Sequence, residues 1–344
     1  MTPRELVANL LAGRPAERVP FCPALYEHKA ALIGTTPSRM SRDAGLFEKA
    51  ISREIEIYRP DMVVIGCDVY DVEAEAVGCK VRFYDSNEVP SISETIIAPG
   101  GDISGLKVPS PQKDGRMAVN LETGERIQRR FGRDRIIRGA LSAPFSLASE
   151  LAGPEAVLLA LMDRPEWVSD LLYWCSAIIK AYGKAFVDRG LGVILFDSHA
   201  SPPLVSPRLY KEIILPPTAA VIHHFRSGLG LPLVPYIIGG DTRILLDSML
   251  LTGTNNILCD YKSDLGYFVD YLKDKPVLLR ANLNPSFLLT ASIDEIKARV
   301  REVLAVGRRH PRFILGTGIL PYDIPSKKVI AVRDALEEEA RQTI

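Results

Sequence analysis

The sequence predicts a (β/α)8 barrel, and three observations predict it. Short apolar, β-branched runs recur along the 344 residues. Stretches of helical periodicity separate them, so that strand and helix alternate about eight times. Most of the runs are apolar at every position, as parallel strands covered on both faces must be. A doubly wound open sheet would give the same alternation. However, no G-x-G-x-x-G opens the first helix, and no G-x-x-x-x-G-K-[ST] occurs anywhere.

The chain opens on a helix, with Thr2 as N-cap, Pro3 at the first helical position and Glu5 closing a capping box. Strands follow at residues 19–24, 62–67, 136–141, 193–196, 233–238, 256–259, 277–280 and 313–316. Helical patterns fill 46–58, 155–161, 167–188, 207–227, 242–250 and 293–306. Residues 69–134, between the second and third strands, are too many for a bare loop and must hold structure of their own. No composition break or low-complexity linker divides the chain, so residues 1–344 are expected to form a single barrel domain.

Bulk composition excludes several classes of function. With 42 basic and 42 acidic side chains, the net charge of zero argues against a general nucleic-acid binder. No apolar run is long enough for a membrane span, and the N-terminus lacks the basic-then-apolar pattern of a secretory signal. Cys22, Cys67, Cys79, Cys175 and Cys259 are scattered and odd in number, as expected of reduced thiols in the cytoplasm.

In such a barrel the site lies beyond the C-terminal ends of the strands. Tyr26, Glu27 and His28 follow the first strand, and Asp68 and Tyr70 the second. Asp197, Ser198 and His199 follow the fourth, Asp241 the fifth (with Tyr236 near its end), Asp260 the sixth, Asn282 the seventh and Tyr322 the eighth. Turn-forming residues gather after any strand, so each alone is as well explained by a turn. Their convergence from seven strand ends marks a site. His199 stands two residues from Asp197 in the stretch ILFDSHASPP. In an extended segment both would point the same way, and the carboxylate would raise the imidazole pKa and keep it a proton donor. His223, His224 and His310 fall in helical or turn patterns and are expected to be structural.

The segment FDSHASPPLVSPRLYKEIILP resembles the uroporphyrinogen decarboxylase superfamily. PDMVVIGCDVYDVEAEAVGCKV, GALSAPFSLASELAG, ANLNPSFLLTASIDEIKARV and FILGTGILPYDIP agree with it in order and spacing, so the resemblance covers nearly the whole chain. It implies a (β/α)8 barrel with its site in the mouth. The true decarboxylases carry an arginine-bearing loop after the first strand, which here reads CPALYEHKAALIG, and a histidine where this chain has Thr317. Losing those clamps would cost several charge-assisted hydrogen bonds at ~1.5–3 kcal/mol each. Asp68 and Ser198 match the aspartate and serine of the decarboxylase site.

DVYDVEAEAVGC is more similar to the corrinoid-dependent methyltransferase branch. Its thiol-methylating members hold zinc with a His-x-Cys after strand five and a Cys in the strand-eight motif. The matching positions here are Tyr236, Ile238 and Ile319, none of them a zinc ligand. The resemblance therefore implies a methyltransferase that demethylates a small donor, a methoxylated aromatic foremost, onto a corrinoid (cobalamin) carried by a partner protein. His199, Asp197, His28 and Tyr26 are the expected donors of a proton or hydrogen bond to the leaving oxygen. Asp68 joins the catalytic candidates. Tyr26, Glu27, Tyr70, Ser198, Tyr236, Asp241, Asp260, Asn282 and Tyr322 are the expected substrate contacts. No metal is assigned. The alternatives are a decarboxylase acting on a smaller acid through Asp68 and His199, methyl transfer from an amine or thioether, and a barrel that only binds a corrinoid or tetrapyrrole. A homodimer is an option such barrels often take.

Overall fold

The computed structural model describes residues 1–342. In chain order the strands are β1 (Phe21–Ala24), β2 (Met62–Ile65), β3 (Lys80–Arg82), β4 (Ser91–Glu94), β5 (Ile136–Ser142), β6 (Gly192–Phe196), β7 (Tyr236–Ile237), β8 (Asn256–Cys259), β9 (Leu278–Leu283) and β10 (Phe313–Ile319). Eight of these are parallel and form the barrel; β3 and β4 make a separate antiparallel pair. Backbone ladders run β2-β5-β6-β7 and β1-β10-β9-β8. Two seams join these half-barrels. At one, Asp61 N donates to Phe21 O at 2.9 Å. At the other, Thr254 Oγ1 donates to Val234 O at 2.9 Å, and Val234 N donates to Asn255 Oδ1 at 3.1 Å.

Side chains alternate between the barrel interior and the surrounding helices. Cys22, Met62, Leu233, Leu278 and Ile314 fill the lower interior with Val7 and Leu10 of the first helix, Pro3–Leu11, which plugs the barrel bottom. That helix carries the expected Thr2–Glu5 capping box. Ala24, Tyr26, Ala140, Ile194, Phe196, Ile237 and Leu258 form the upper layer. Between lower-layer and upper-layer positions, β5 and β9 each place an arginine, Arg138 and Arg280. Gly316 on β10 leaves the space one of them occupies, because a Cβ there would lie 2.6 Å from Arg280 Nε.

The stretch between β2 and β5 does hold local structure: a helix at Asp71–Val77, the β3–β4 pair and a helix at Met117–Phe131. The single helix expected at 207–227 is interrupted by wide turns at Tyr210–Ile214 and His224–Gly228. Pro216 and Pro217 donate no N–H, which breaks the regular ladder after the first of these turns. No single helix among the described residues is long and apolar enough to cross a membrane.

Candidate active site

The C-terminal ends of the strands open onto a cavity of about 310 Å³. Tyr26, Tyr70, Phe196 and Tyr261 wall it, with Tyr26 and Phe196 meeting edge to face at 5.9 Å. Ser198, Asp260, Lys262, Arg280 and Asn282 supply its polar lining. Tyr70 Oη donates to Ser198 Oγ at 2.6 Å and accepts from Ser198 N at 3.2 Å. Burial pushes the Tyr70 hydroxyl up to about 12, so it donates a hydrogen bond without ionising. Asp260 Oδ1 accepts from Lys262 N at 3.0 Å, and burial also raises this carboxyl above its ordinary value. A second cavity of about 390 Å³ shares Asp260, Tyr261 and Asn282 and extends toward Phe287 and Arg299. Of the expected substrate contacts, Tyr26, Tyr70, Ser198, Asp260 and Asn282 thus converge on one mouth.

Several other candidates take different places. Asp197 follows the inward-facing Phe196 and so points outward, into the helix layer, where it is fully buried. Its Oδ1 accepts from Ser146 N at 2.9 Å and Ser146 Oγ at 2.8 Å, and its Oδ2 accepts from Tyr236 Oη at 2.6 Å. Burial pushes the carboxyl up to about 6 despite these donors. Tyr236, between the inward Ile237 and Pro235, shares that outward side and also receives a 3.1 Å bond from Tyr210 Oη. Neither residue reaches the mouth.

His199 does not pair with Asp197. Ser198–Ala200 form a single 3-10 turn, so the chain is no longer extended and the two-residue periodicity fails. The imidazole instead places Nε2 3.6 Å from Glu150 Oε1 and meets the Tyr70 ring edge to face at 5.6 Å. Burial lowers its pKa rather than raising it, and burial alone holds Glu150 up at about 7.

His28 is committed to the fold. Its Nδ1 lies 2.9 Å from the Tyr322 carbonyl and its Nε2 2.7 Å from Tyr58 Oη. The first requires Nδ1 to carry a proton and donate it, and burial lowers the pKa of the ring. Tyr322 donates its hydroxyl to Thr35 O at 2.9 Å. Asp241 is held on the rim by Arg243 at 2.5 Å. Asp68 is sealed by Arg116, whose Nη1 lies 2.6 Å from its Oδ2 while Nε donates to Glu75 at 2.5 Å. Glu27 is partly buried outside the lining, its carboxyl raised by burial. Phe145, within GALSAPFSLASELAG, is buried in the outer core.

Two groups escaped the reading of the strand ends. Arg280 lines the mouth, yet the polar residues at the end of that strand drew attention to Asn282 instead. The signal was present: Arg280 stands two positions before Asn282 on one strand, hence on the same face. Arg116 carried no local signal, because its partners Asp68 and Glu75 lie far away along the chain.

A model of the uroporphyrinogen decarboxylase (URO-D) family matches residues 2–339. The chain belongs to the uroporphyrinogen decarboxylase family. Within the family, it is 26% identical over 311 residues to methylcobamide:CoM methyltransferase MtbA of Methanosarcina acetivorans, covering 89% of this chain and 90% of the relative. It is 25% identical over 305 residues to methylcobamide:CoM methyltransferase MtaA of Methanosarcina barkeri, covering 86% and 87%. A uroporphyrinogen decarboxylase from Wolbachia is 22% identical over 285 residues, covering 81% and 78%. Among solved structures, a methyltransferase from Methanosarcina mazei superposes with a TM-score of 0.88 at 22% identity, over 98% of this chain and 99% of that one. That likeness establishes the family's barrel here.

The zinc positions of the thiol-methylating branch do not fit a metal in this member. Tyr236 and Ile238 are buried among the outer core residues, and Ile319 presents an alkyl chain at the mouth. Among the described residues, no group of three or more His, Cys, Asp or Glu side chains is placed to hold a metal ion.

Proposed function

We propose that this protein is a methyltransferase that takes a methyl group from a small methoxylated aromatic donor and passes it to a corrinoid carried by a partner protein. The observation that carries the donor class is the mouth itself: a cavity walled by Tyr26, Tyr70, Phe196 and Tyr261, sized for a single flat ring. The methylcobamide methyltransferases among its relatives support methyl transfer as the reaction type. A Co(I) corrinoid supplies the nucleophile and needs no activation by the chain.

What the chain must supply is orientation and help to the leaving oxygen. Tyr70 and Ser198 offer hydroxyls in the cavity, and Asp260 offers a carboxyl that burial keeps protonated to higher pH than usual. Hydrogen bonding or proton transfer to a leaving phenolate is worth roughly 10²–10⁴-fold. His199 packs behind Tyr70 and serves as a positioning residue for that hydroxyl. Asp197 and His28 support the scaffold.

A second reading has a specific observation in its favour: the relatives are named for transfer to coenzyme M, which would make this chain a methylator of a thiol acceptor. Against it stands the lack of a ligand set for thiol-activating zinc. The decarboxylase reading loses ground because Asp68 is engaged by Arg116 and does not line the cavity.

The test is to mix the protein with a corrinoid protein reduced to Co(I) and a panel of methoxyarenes, methylamines and methyl thioethers. Loss of Co(I) absorbance matched mole for mole by a free phenol is the expected result. Loss only with amines or thioethers would replace the donor class. Silence with every donor, but demethylation of a methylated corrinoid by thiols, would establish the second reading.

A further inference from the structure

We propose that the floor of the mouth is an anion site built on Arg280, so that the small molecule bound there carries a carboxylate or sulfonate. The inference deepens the reading above and rests on the mouth being the reaction site, but its test does not require methyl transfer.

Arg280 is only 7% exposed and yet lines the cavity. Its Nε donates to Asn282 Oδ1 at 3.0 Å and its Nη2 to Thr317 O at 3.3 Å, both neutral acceptors. Among the described residues no carboxylate pairs with it, and Nη1 has no hydrogen-bond partner there. The second interior arginine, Arg138, is 2% exposed and equally without a counter-ion. Its Nη2 reaches only Cys22 Sγ at 3.7 Å, and its Nε is unpartnered. Burial holds the pKa of Arg138 below the usual guanidinium range, with repulsion from Arg280 acting in the same direction.

Elsewhere the chain does not leave deep cations alone. Lys29 has Glu54 at 3.8 Å, and Arg116 has Asp68 and Glu75. An unpaired buried charge costs several kcal/mol, and two of like sign in one barrel cost more. A carboxylate or sulfonate entering from the mouth would supply the missing charge and accept from the free edge of Arg280. Gly316 leaves the room in which Arg280 sits, since a Cβ there would lie 2.6 Å from Arg280 Nε. Among the described residues Asp260 is the only carboxyl in the cavity lining, and the charge of Lys262 offsets it. Anchoring the charged end on the floor would direct the opposite end toward the open mouth, the side from which a partner must approach.

The anion has two possible sources, the carboxylate of a methyl donor or the sulfonate of a thiol acceptor. Calorimetric titration of the full chain would compare 4-methoxybenzoate with its neutral methyl ester, and coenzyme M with neutral 2-mercaptoethanol. At least one anion is expected to bind about 10- to 100-fold more tightly than its neutral counterpart, the range of charge-assisted hydrogen bonds. Arg280→Met should abolish that preference while leaving the neutral ligand's affinity unchanged, and Arg280→Lys should keep part of it. The pair that shows the preference identifies the source. Equal affinity of both members of each pair in the native protein, or failure of every anion to bind, would overturn the proposal even if Arg280→Met did not fold. A folded Arg280→Met variant that still prefers the anion would overturn it too. Arg280-dependent anion binding with no Co(I) consumption would leave this site standing and remove the functional reading. Co(I) consumption with no anion preference would do the reverse.

Discussion

Asp197 and Tyr236 meet on the outer side of the barrel wall, where the tyrosine hydroxyl donates to the carboxylate at 2.6 Å. With the two bonds from Ser146, this contact fastens β6, β7 and the helix Pro144–Ala152 together. Asp197→Ala would strand the Ser146 amide and the Tyr236 hydroxyl in the interior. We expect a loss of about 2–4 kcal/mol in chemical denaturation, and about 1–2 kcal/mol for Tyr236→Phe. An Asp197→Asn protein of native stability but without turnover would return the residue to the chemistry.

Tyr70 and His28 should separate cleanly. Tyr70→Phe removes the hydroxyl bonded to Ser198 but keeps the ring, so the proposed transfer should slow by about 10- to 100-fold with little change in the unfolding midpoint. His28→Gln disturbs bonds to Tyr322 and Tyr58 and should cost about 1–3 kcal/mol, while the rate per folded molecule stays near native. Parallel measurement of kcat and denaturation midpoint checks both, and interchange of the two patterns would reverse the assignments.

Arg116 is the counter-ion of a buried acidic group. Arg116→Met leaves Asp68 and Glu75 without their partner and should destabilise by about 3–5 kcal/mol. Adding Asp68→Asn should recover part of the loss, because it removes one of the uncompensated charges. A double variant less stable than Arg116→Met would show that Asp68 is held by something other than charge pairing.

Stability should fall as pH rises from 7 to 9. Asp71 is held up at about 8, chiefly by burial, with the like charges of Asp68 and Glu150 adding to it. An unfolded aspartate titrates near 3.9, so the folded chain retains a proton that the unfolded chain releases. The stabilisation is complete below about pH 4 and is lost as pH passes through 8. Glu73 and Glu150, both near 7, act in the same sense. The lowered pKa values of His28, His199 and His310 act oppositely, but unfolded histidine is mostly deprotonated above pH 7. Denaturation across this range should show the decline, and Asp71→Asn should flatten it. A flat profile for the native chain would contradict this account.

Much of the lining of the candidate site was legible because strands impose a period of two. Tyr26, Ser198, Asp260 and Asn282 continue the inward faces of their strands, and all reach the mouth. Arg280 was legible by the same rule, through its spacing from Asn282. The reading failed where the chain left the extended state or where the inward parity was not followed. Asp197 and Tyr236 sit one residue out of phase with the lining, and His199 lies in a 3-10 turn that swings it over Glu150.

Apolar runs alternating with amphipathic stretches determined the barrel by themselves, because each run is long enough only for a strand buried on both faces. The Thr2–Glu5 cap was likewise written locally, within one helical turn. Tertiary structure alone decided which polar groups face the mouth with free valences and which are consumed by the scaffold. His28 finds its acceptor 294 residues away at Tyr322, and Asp197 finds its donors at Ser146 and Tyr236. Such bonds depend on which strands and helices become neighbours when the barrel closes, and that adjacency brings together groups with no relation in local sequence.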